Sequence, residues 1–296
     1  MTAYILPFEK MHGLGNDFIL LERRHLPNDI NDKALAKLLC DRHFGIGADG
    51  LIIVDLSSSR DADFMWSYYN ADGSDSEMCG NGMRCFAKYV FERGFTDEPE
   101  FSVLTKAGII RPSIEPDGTV TVDMGVPKLP DKTKEEIKID SRIFNYTYIE
   151  VGNPHCVIFL DKDISDSDFY LFGPKIEKDK KFSDGVNVEF SRVLNNKEIN
   201  CRVWERGCGA TLACGTGACA VLLAANINNL TGNSAIINLP GGTLSVRWDK
   251  TSNHVFLNGP ASFLYTGQFN LDPKLVSNTL SNVHSQRVAP EGRRPD

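Results

Sequence analysis

One short pattern occurs twice in this chain and constrains everything around it. Cys79-Gly80-Asn81-Gly82 opens an amphipathic run that continues through Arg93 and is closed by Gly94. Cys214-Gly215-Thr216-Gly217 opens an apolar, Ala-rich run that continues through Asn226. Each reads as a cysteine at the mouth of a helix with a glycine-rich first turn, and the second run is apolar all round, as a buried helix is. Landmarks upstream repeat as well. Asp49-Gly50 precedes Cys79 by the interval that separates Asp184-Gly185 from Cys214, and Asn70 and Glu205 precede their cysteines by one common interval. Gly15-Asn16 and Gly152-Asn153 stand further back, at intervals that differ by two residues. Four landmarks in one order at nearly equal spacing indicate an internal duplication. Two copies related by a pseudo-twofold axis would bring two cysteine-headed helices to one shared site in the cleft between two similar domains.

Helix ends supply the chemistry of such a site. The first N–H groups of a helix lack intrahelical partners and, with the helix dipole, attract anions. The same field favours thiolate over thiol and predicts lowered pKa values for both cysteines. Each start therefore offers an acid or base beside an anion cradle, formed by Gly80 and Asn81 in one copy and by Gly215 and Thr216 in the other.

With 296 residues the chain is long enough for two cores. Its net charge of −7 argues against nucleic acid or an anionic membrane as partner. No apolar run approaches the roughly 20 residues of a membrane span, and the N-terminus lacks the pattern of a secretory signal. Eight cysteines, several in glycine-rich turns, do not form a disulfide framework at this length and point to a reducing, cytoplasmic setting.

The coarse plan is α+β. Gly13-Leu14-Gly15-Asn16 reads as a turn between extended segments, and Asn31 or Asp32 caps a helix over 33–43. Gly45-Ile46-Gly47-Ala48-Asp49-Gly50 matches the dinucleotide fingerprint. It follows a helix and precedes a strand, however, the reverse of the order a Rossmann site needs, so that reading is rejected. Strands are expected over 63–70, 101–106, 108–114 and 119–124 in the first copy. In the second they are expected over 142–151, 155–160, 186–190, 199–204, 235–239, 242–249 and 254–258, with a short helical or irregular piece at 169–172 bracketed by Gly173-Pro174. The expected division is residues 1–126, joined by 263–280, against 127–262, with 283–296 a disordered tail.

Several segments together resemble diaminopimelate epimerases: Met11-His12-Gly13-Leu14-Gly15-Asn16-Asp17-Phe18, Gly45 to Gly50, Cys79-Gly80-Asn81-Gly82-Met83-Arg84-Cys85, Gly152-Asn153-Pro154-His155-Cys156, Glu205-Arg206-Gly207 and Ala213-Cys214-Gly215-Thr216-Gly217-Ala218-Cys219. The resemblance runs from about residue 8 to 265. It implies two similar domains, each a β-barrel-like antiparallel or mixed sheet around a central helix. It also implies cofactor-independent interconversion of LL- and meso-diaminopimelate, a step in lysine and, in bacteria, peptidoglycan precursor synthesis. Homodimer formation is one assembly it allows. By motif, Cys79 and Cys214 become the acid/base pair, with His155 and Glu205 beside them. Asn16, Asn70, Asn153, Asn187, Glu205 and Arg206 hold the substrate, together with Gly80, Asn81, Gly215 and Thr216. No metal or cofactor is implied. One departure is Ala210, where the family usually has Glu in Gly-x-Gly-Glu-Thr.

Two other readings compete. Cys79 with Cys85, and Cys208 with Cys214 and Cys219, could ligate zinc or an iron–sulfur cluster. Structural zinc prefers pairs with two to four residues between them; Cys79 and Cys85 have five, whereas Cys214 and Cys219 have an acceptable four, but the glycines between that pair fit a helix start better. Cys85, Cys156, Cys201 and Cys219 fall in apolar patterns and read as core, and Cys208 reads as a small turn residue. The second competitor is a pyridoxal-phosphate-independent racemase of another amino acid, such as histidine or proline. Arg206 and the asparagine set favour a longer substrate with a polar far end.

Overall fold

The computed structural model describes residues 4–75 and 78–272. The expected tail at 283–296, and the part of 263–280 beyond residue 272, lie outside the described residues.

The first half runs β1 (Tyr4–Gly13), β2 (Asn16–Glu22), α1 (Asp32–Cys40), β3 (Gly50–Leu56), β4 (Phe64–Asn70), α2 (Gly80–Glu92), β5 (Val103–Thr105), β6 (Gly108–Ile110), β7 (Ser113–Ile114) and β8 (Val120–Asp123). The second runs β9 (Glu135–Ile139), β10 (Arg142–Glu150), β11 (Pro154–Phe159), α3 (Asp166–Glu177), β12 (Asn187–Asn195), β13 (Glu198–Glu205), β14 (Gly209–Thr211), α4 (Gly215–Ile227), β15 (Ser234–Leu239), β16 (Gly242–Trp248), β17 (Val255–Gly259) and β18 (Ser262–Leu271). The order hairpin, helix, hairpin, cysteine-headed helix recurs. So does the pairing, since the parallel pairs β2·β3 and β4·β5 correspond to β11·β12 and β13·β15.

Two mixed sheets result, one in the order β18-β1-β2-β3-β4-β5-β6 and the other β7-β8-β17-β16-β15-β13-β12-β11-β10-β9, with β14 on β13. The halves trade strands. β8 pairs antiparallel with β17 in the larger sheet, and β18 pairs antiparallel with β1 in the smaller.

Both faces of β3 are covered, which explains its unbroken apolar run. Ile52 and Val54 join Met83, Phe86 and Val90 of α2 on one face, whereas Leu51 and Ile53 join Leu35 and Leu39 of α1 on the other. The second half repeats this. α4 is buried all round, every residue from Ala218 through Ala225 being closed to solvent, and it packs on Ile199, Val203, Ile237 and Val246. On the outer face, Phe169, Phe172 and Ile176 of α3 meet Phe144, Ile158 and Phe190.

Two local expectations are corrected. α1 ends at Cys40 because the Asp41 carboxylate takes the N–H groups of His43 and Phe44, a side-chain turn that competes with the helix. α3 is a full helix that contains Gly173 and Pro174. Gly173 belongs inside it because a β-carbon there would lie 2.8 Å from the Trp204 indole, so glycine lets α3 approach β13.

The β1–β2 turn crosses between the halves. Leu14, at φ 57°, is buried in the cluster around α4, and Gly241 lies so near that a β-carbon would stand 2.1 Å from the Leu14 carbonyl oxygen.

Candidate active site

The two helix heads meet. Cys79 and Cys214 are the N-cap residues of α2 and α4, both in extended backbone geometry. Each sulfur takes the place of the usual capping oxygen. Cys79 Sγ accepts from the Gly82 N–H at 3.5 Å, and Cys214 Sγ accepts from the Gly217 N–H at 3.4 Å. Asn81 Nδ2 bridges the heads by donating to the carbonyl of Ala213, the residue before Cys214, at 3.2 Å. A β-carbon on Gly215 would come within 2.9 Å of Leu257 and 3.8 Å of the Gly80 α-carbon, so small residues permit this approach.

The thiols have unlike neighbours. Cys79 Sγ lies 3.8 Å from Asn16 Oδ1, a neutral acceptor. Cys214 Sγ lies 3.5 Å from the Thr216 hydroxyl and within hydrogen-bonding reach of the Glu205 carboxylate. Glu205 is held by the Thr211 hydroxyl, which donates to Oε1 at 2.6 Å. Behind Cys214, His155 sits between two partners: Nδ1 is 2.7 Å from Glu189 Oε1 and Nε2 is 2.8 Å from Asn153 Oδ1. A β-carbon on Gly217 would stand 2.8 Å from Glu189 Oε1, which places that carboxylate against the first turn of α4.

The expected lowering of the cysteine pKa values is overturned. Burial pushes both thiols up, Cys214 well above the ordinary value. The Glu205 and Glu189 carboxylates add to the rise at Cys214, and the Gly217 N–H offsets only part of it. At Cys79 the Gly82 N–H and the Arg84 cation pull the other way without prevailing. Burial also raises Glu205 above the usual carboxylate value. Desolvation of the thiols outweighs the helix field.

The remaining predicted residues fall into separate groups. Asn16 donates to Asp49 Oδ2 at 2.9 Å and accepts from Asn81 Nδ2 at 3.2 Å, so it joins Cys79 and the head of α2. Asn187 is buried and turned toward backbone; it donates to the Pro154 carbonyl at 2.8 Å and accepts the Arg206 N–H at 2.9 Å. It thereby fixes the β13–β14 turn. The Arg206 guanidinium is exposed, touches the Asp184 carbonyl at 3.4 Å, and has no carboxylate partner among the described residues. Asn70 bonds within its own hairpin, to Ser74 Oγ at 2.9 Å and from the Tyr68 hydroxyl at 3.0 Å. No group of three or more His, Cys, Asp or Glu side chains that could hold a metal occurs among the described residues. Cys85, Cys156, Cys201 and Cys219 are buried, and Cys208 is exposed. No described helix is long and apolar enough to cross a membrane.

The family model described as diaminopimelate epimerase matches residues 8–130 and 147–264. The chain belongs to the diaminopimelate epimerase family. It is 46% identical over 284 residues to the diaminopimelate epimerase of Desulforapulum autotrophicum, covering 90% of this chain and 99% of that one. It is 42% identical over 282 residues to that of Moorella thermoacetica, covering 90% and 99%. Among solved structures, a hydroxyproline epimerase from Agrobacterium vitis superposes with TM-score 0.69 at 16% identity over 92% of this chain and 94% of that one. A methylitaconate-delta-isomerase gives TM-score 0.66 at 15% identity over the full length of both. These last two establish the two-domain fold.

Sequence reasoning missed several residues of this family member. Asp49, read in the sequence only as a landmark and part of a motif, holds Asn16 and pairs with Arg42 at 2.8 Å. Asp17 pairs with both Arg42 and the buried Lys10, and these bonds outweigh burial to hold its carboxyl down at about 2. Glu177 of α3 accepts from the Trp204 indole N–H at 2.8 Å and the Gly207 N–H at 2.9 Å, bracing the Arg206 turn. Glu189 did leave a signal: it is a lone carboxylate in the apolar run from Val186 to Phe190. Ala210, the departure from the family pattern, is exposed in β14 opposite Trp204.

Proposed function

We propose that this chain interconverts LL- and meso-diaminopimelate by a two-base proton transfer, with Cys79 and Cys214 on opposite faces of the α-carbon. The observation that carries the reading is the contact between two helix heads, each capped by a cysteine sulfur. A substrate α-carboxylate fits the N–H groups at Gly80, Asn81, Gly215 and Thr216. When one thiolate removes the α-proton, charge spreads into that carboxylate, where each aligned donor is worth about 2.7–4 kcal/mol in a dry site. The opposite thiol then returns a proton, which inverts the centre.

The neighbours suggest how the resting protons lie. Cys79 faces a neutral amide oxygen and keeps its proton, ready to act as the acid. Cys214 faces Glu205, whose raised pKa makes it the better proton acceptor. Transfer of the Cys214 proton to Glu205 creates the thiolate and leaves Glu205 neutral, so no net charge enters the cleft. In this reading Asn153 and Arg206 bind the far end of a longer substrate, and the Arg206 fork takes its distal carboxylate.

The same proposal divides the chain into residues 1–126, joined by 263–280, and residues 127–262. It places the enzyme in a reducing cytoplasm, which suits cysteines that are all free, and it includes a homodimer, which sedimentation would test.

The deciding experiment is inversion of diaminopimelate isomers in heavy water, run beside a panel including histidine and proline. The intact enzyme should place deuterium mainly in the inverted product and leave the panel untouched. Cys79→Ser and Cys214→Ser should each lose inversion by about 10²–10⁴-fold and prefer exchange into opposite forms. Undiminished inversion by either variant removes that cysteine from the chemistry.

A further inference from the structure

Arg84 is the largest fully buried side chain among the described residues, at 0% exposure. Its three acceptors are neutral: the Pro260 carbonyl at 3.2 Å, the Gly80 carbonyl at 3.4 Å and Asn81 Oδ1 at 3.1 Å. It has no carboxylate partner among the described residues. Burying a guanidinium without a counter-ion is costly, and an apolar residue of like size would ordinarily be more stable there. Its bonds, however, fix the groups around it.

An arginine can only donate. Because Nη2 donates to Asn81 Oδ1, the Asn81 amide must turn its nitrogen outward. That Nδ2 then donates in two directions, to Asn16 Oδ1 beside Cys79 and to the Ala213 carbonyl beside Cys214, both at 3.2 Å. The far end agrees, since the Asp49 carboxylate can only accept when ionised and takes Asn16 Nδ2 at 2.9 Å. A donor-only group at one end and an acceptor-only group at the other leave this chain one polarity. The space is closed as well, since a β-carbon on Gly13 would stand 3.0 Å from Arg84 Nη2 and one on Gly259 would stand 3.3 Å from Nε.

We infer that Arg84 is a positioning residue for the epimerase reaction: a buried, donor-only clamp that fixes the Asn81 amide and, through its nitrogen, the relative placement of the Cys79 and Cys214 helix heads. Arg84 reaches no substrate in this assignment; it acts through Asn81. The inference rests on the two-thiol reading of the site.

A double-mutant cycle tests it, with kcat and KM measured on diaminopimelate and folding checked by circular dichroism and thermal melting. Folded Arg84→Met should lower kcat by about 10²-fold, the effect of misplacing reacting groups by about 1 Å, with a much smaller change in KM. Arg84→Lys, which remains donor-only, should recover part of that loss. In an Asn81→Ala background the Arg84 substitution should cost little further, because the two act as one unit. Multiplicative losses in the double variant overturn the inference, as does an Arg84→Met enzyme with unaltered kcat. Should Arg84→Met not fold, Arg84→Lys with Asn81→Ala completes the same cycle. Full inversion by Cys79→Ser is a separate failure, that of the two-thiol reading, and leaves the Arg84–Asn81 coupling measurable.

Discussion

His155 and Glu189 meet at 2.7 Å with both side chains closed to solvent, directly behind the helix that Cys214 caps. Glu189 comes from β12, whose neighbouring residues Val188 and Phe190 point to the opposite face, toward α3. Its second oxygen, Oε2, has no protein partner among the described residues. Glu189→Ala should destabilise the protein by about 1–3 kcal/mol, the cost of leaving the buried His155 nitrogen unpaired. Urea unfolding measures this. A change within a few tenths of a kcal/mol would mean the pair contributes little.

Arg206→Lys should lower kcat/KM for diaminopimelate by at least about tenfold although charge is kept, since lysine lacks the planar fork that takes a carboxylate through two bonds. The turn itself should stay in place, because Asn187 and Glu177 hold backbone N–H groups of Arg206 and Gly207. Steady-state kinetics decide this; near-normal kcat/KM would take Arg206 out of substrate binding.

Glu205 gives a pH signature in the substrate-free protein. Burial raises its carboxyl above the ordinary 4.5, so between that value and the raised one the folded chain binds more protons than the unfolded chain. Stability contributed by this group is therefore complete below about 4.5 and falls as pH rises through the window. Glu205→Gln should flatten that part of the profile. Urea midpoints collected from about pH 4 to about pH 8 test the sign; parallel profiles for variant and parent would refute it.

The Leu14 crossing predicts that Gly241→Ala impairs catalysis without dissolving either core. A methyl at that position would meet the Leu14 carbonyl, which is backbone and cannot swing aside. The β1–β2 turn carries Asn16 as well, so its displacement should cost about 10² in kcat/KM. An enzyme with unchanged kinetics would show that the turn yields freely.

The duplication, the cysteine-headed helices and most strands were legible because each rests on local signals: a repeated turn, an apolar stripe, alternation. Three kinds of feature were not. Glu189 and Arg84 lie within apolar stretches, and their meaning depends on residues distant in sequence that the fold brings against them, His155 and Gly217 for Glu189 and Pro260 for Arg84. The thiol pKa values depend on burial, which a motif does not display. The length of α3 was hidden by Gly173-Pro174, read as a break, because only contact with the Trp204 indole explains glycine there. Asp49 is legible as a landmark of the duplication, whereas its role, to receive Asn16 from a neighbouring strand, is not.

The pairing of β18 with β1 has a consequence for synthesis. Tyr4 is opposite Leu271, so β1 is made long before its partner β18. Until that segment arrives, one edge of the smaller sheet stays open, and an unpaired edge invites pairing with other chains. Pairing across so much of the chain also slows folding, because loop closure must precede the contacts that reward it. The early half of this protein therefore waits, apolar and incomplete, until β18 has been made.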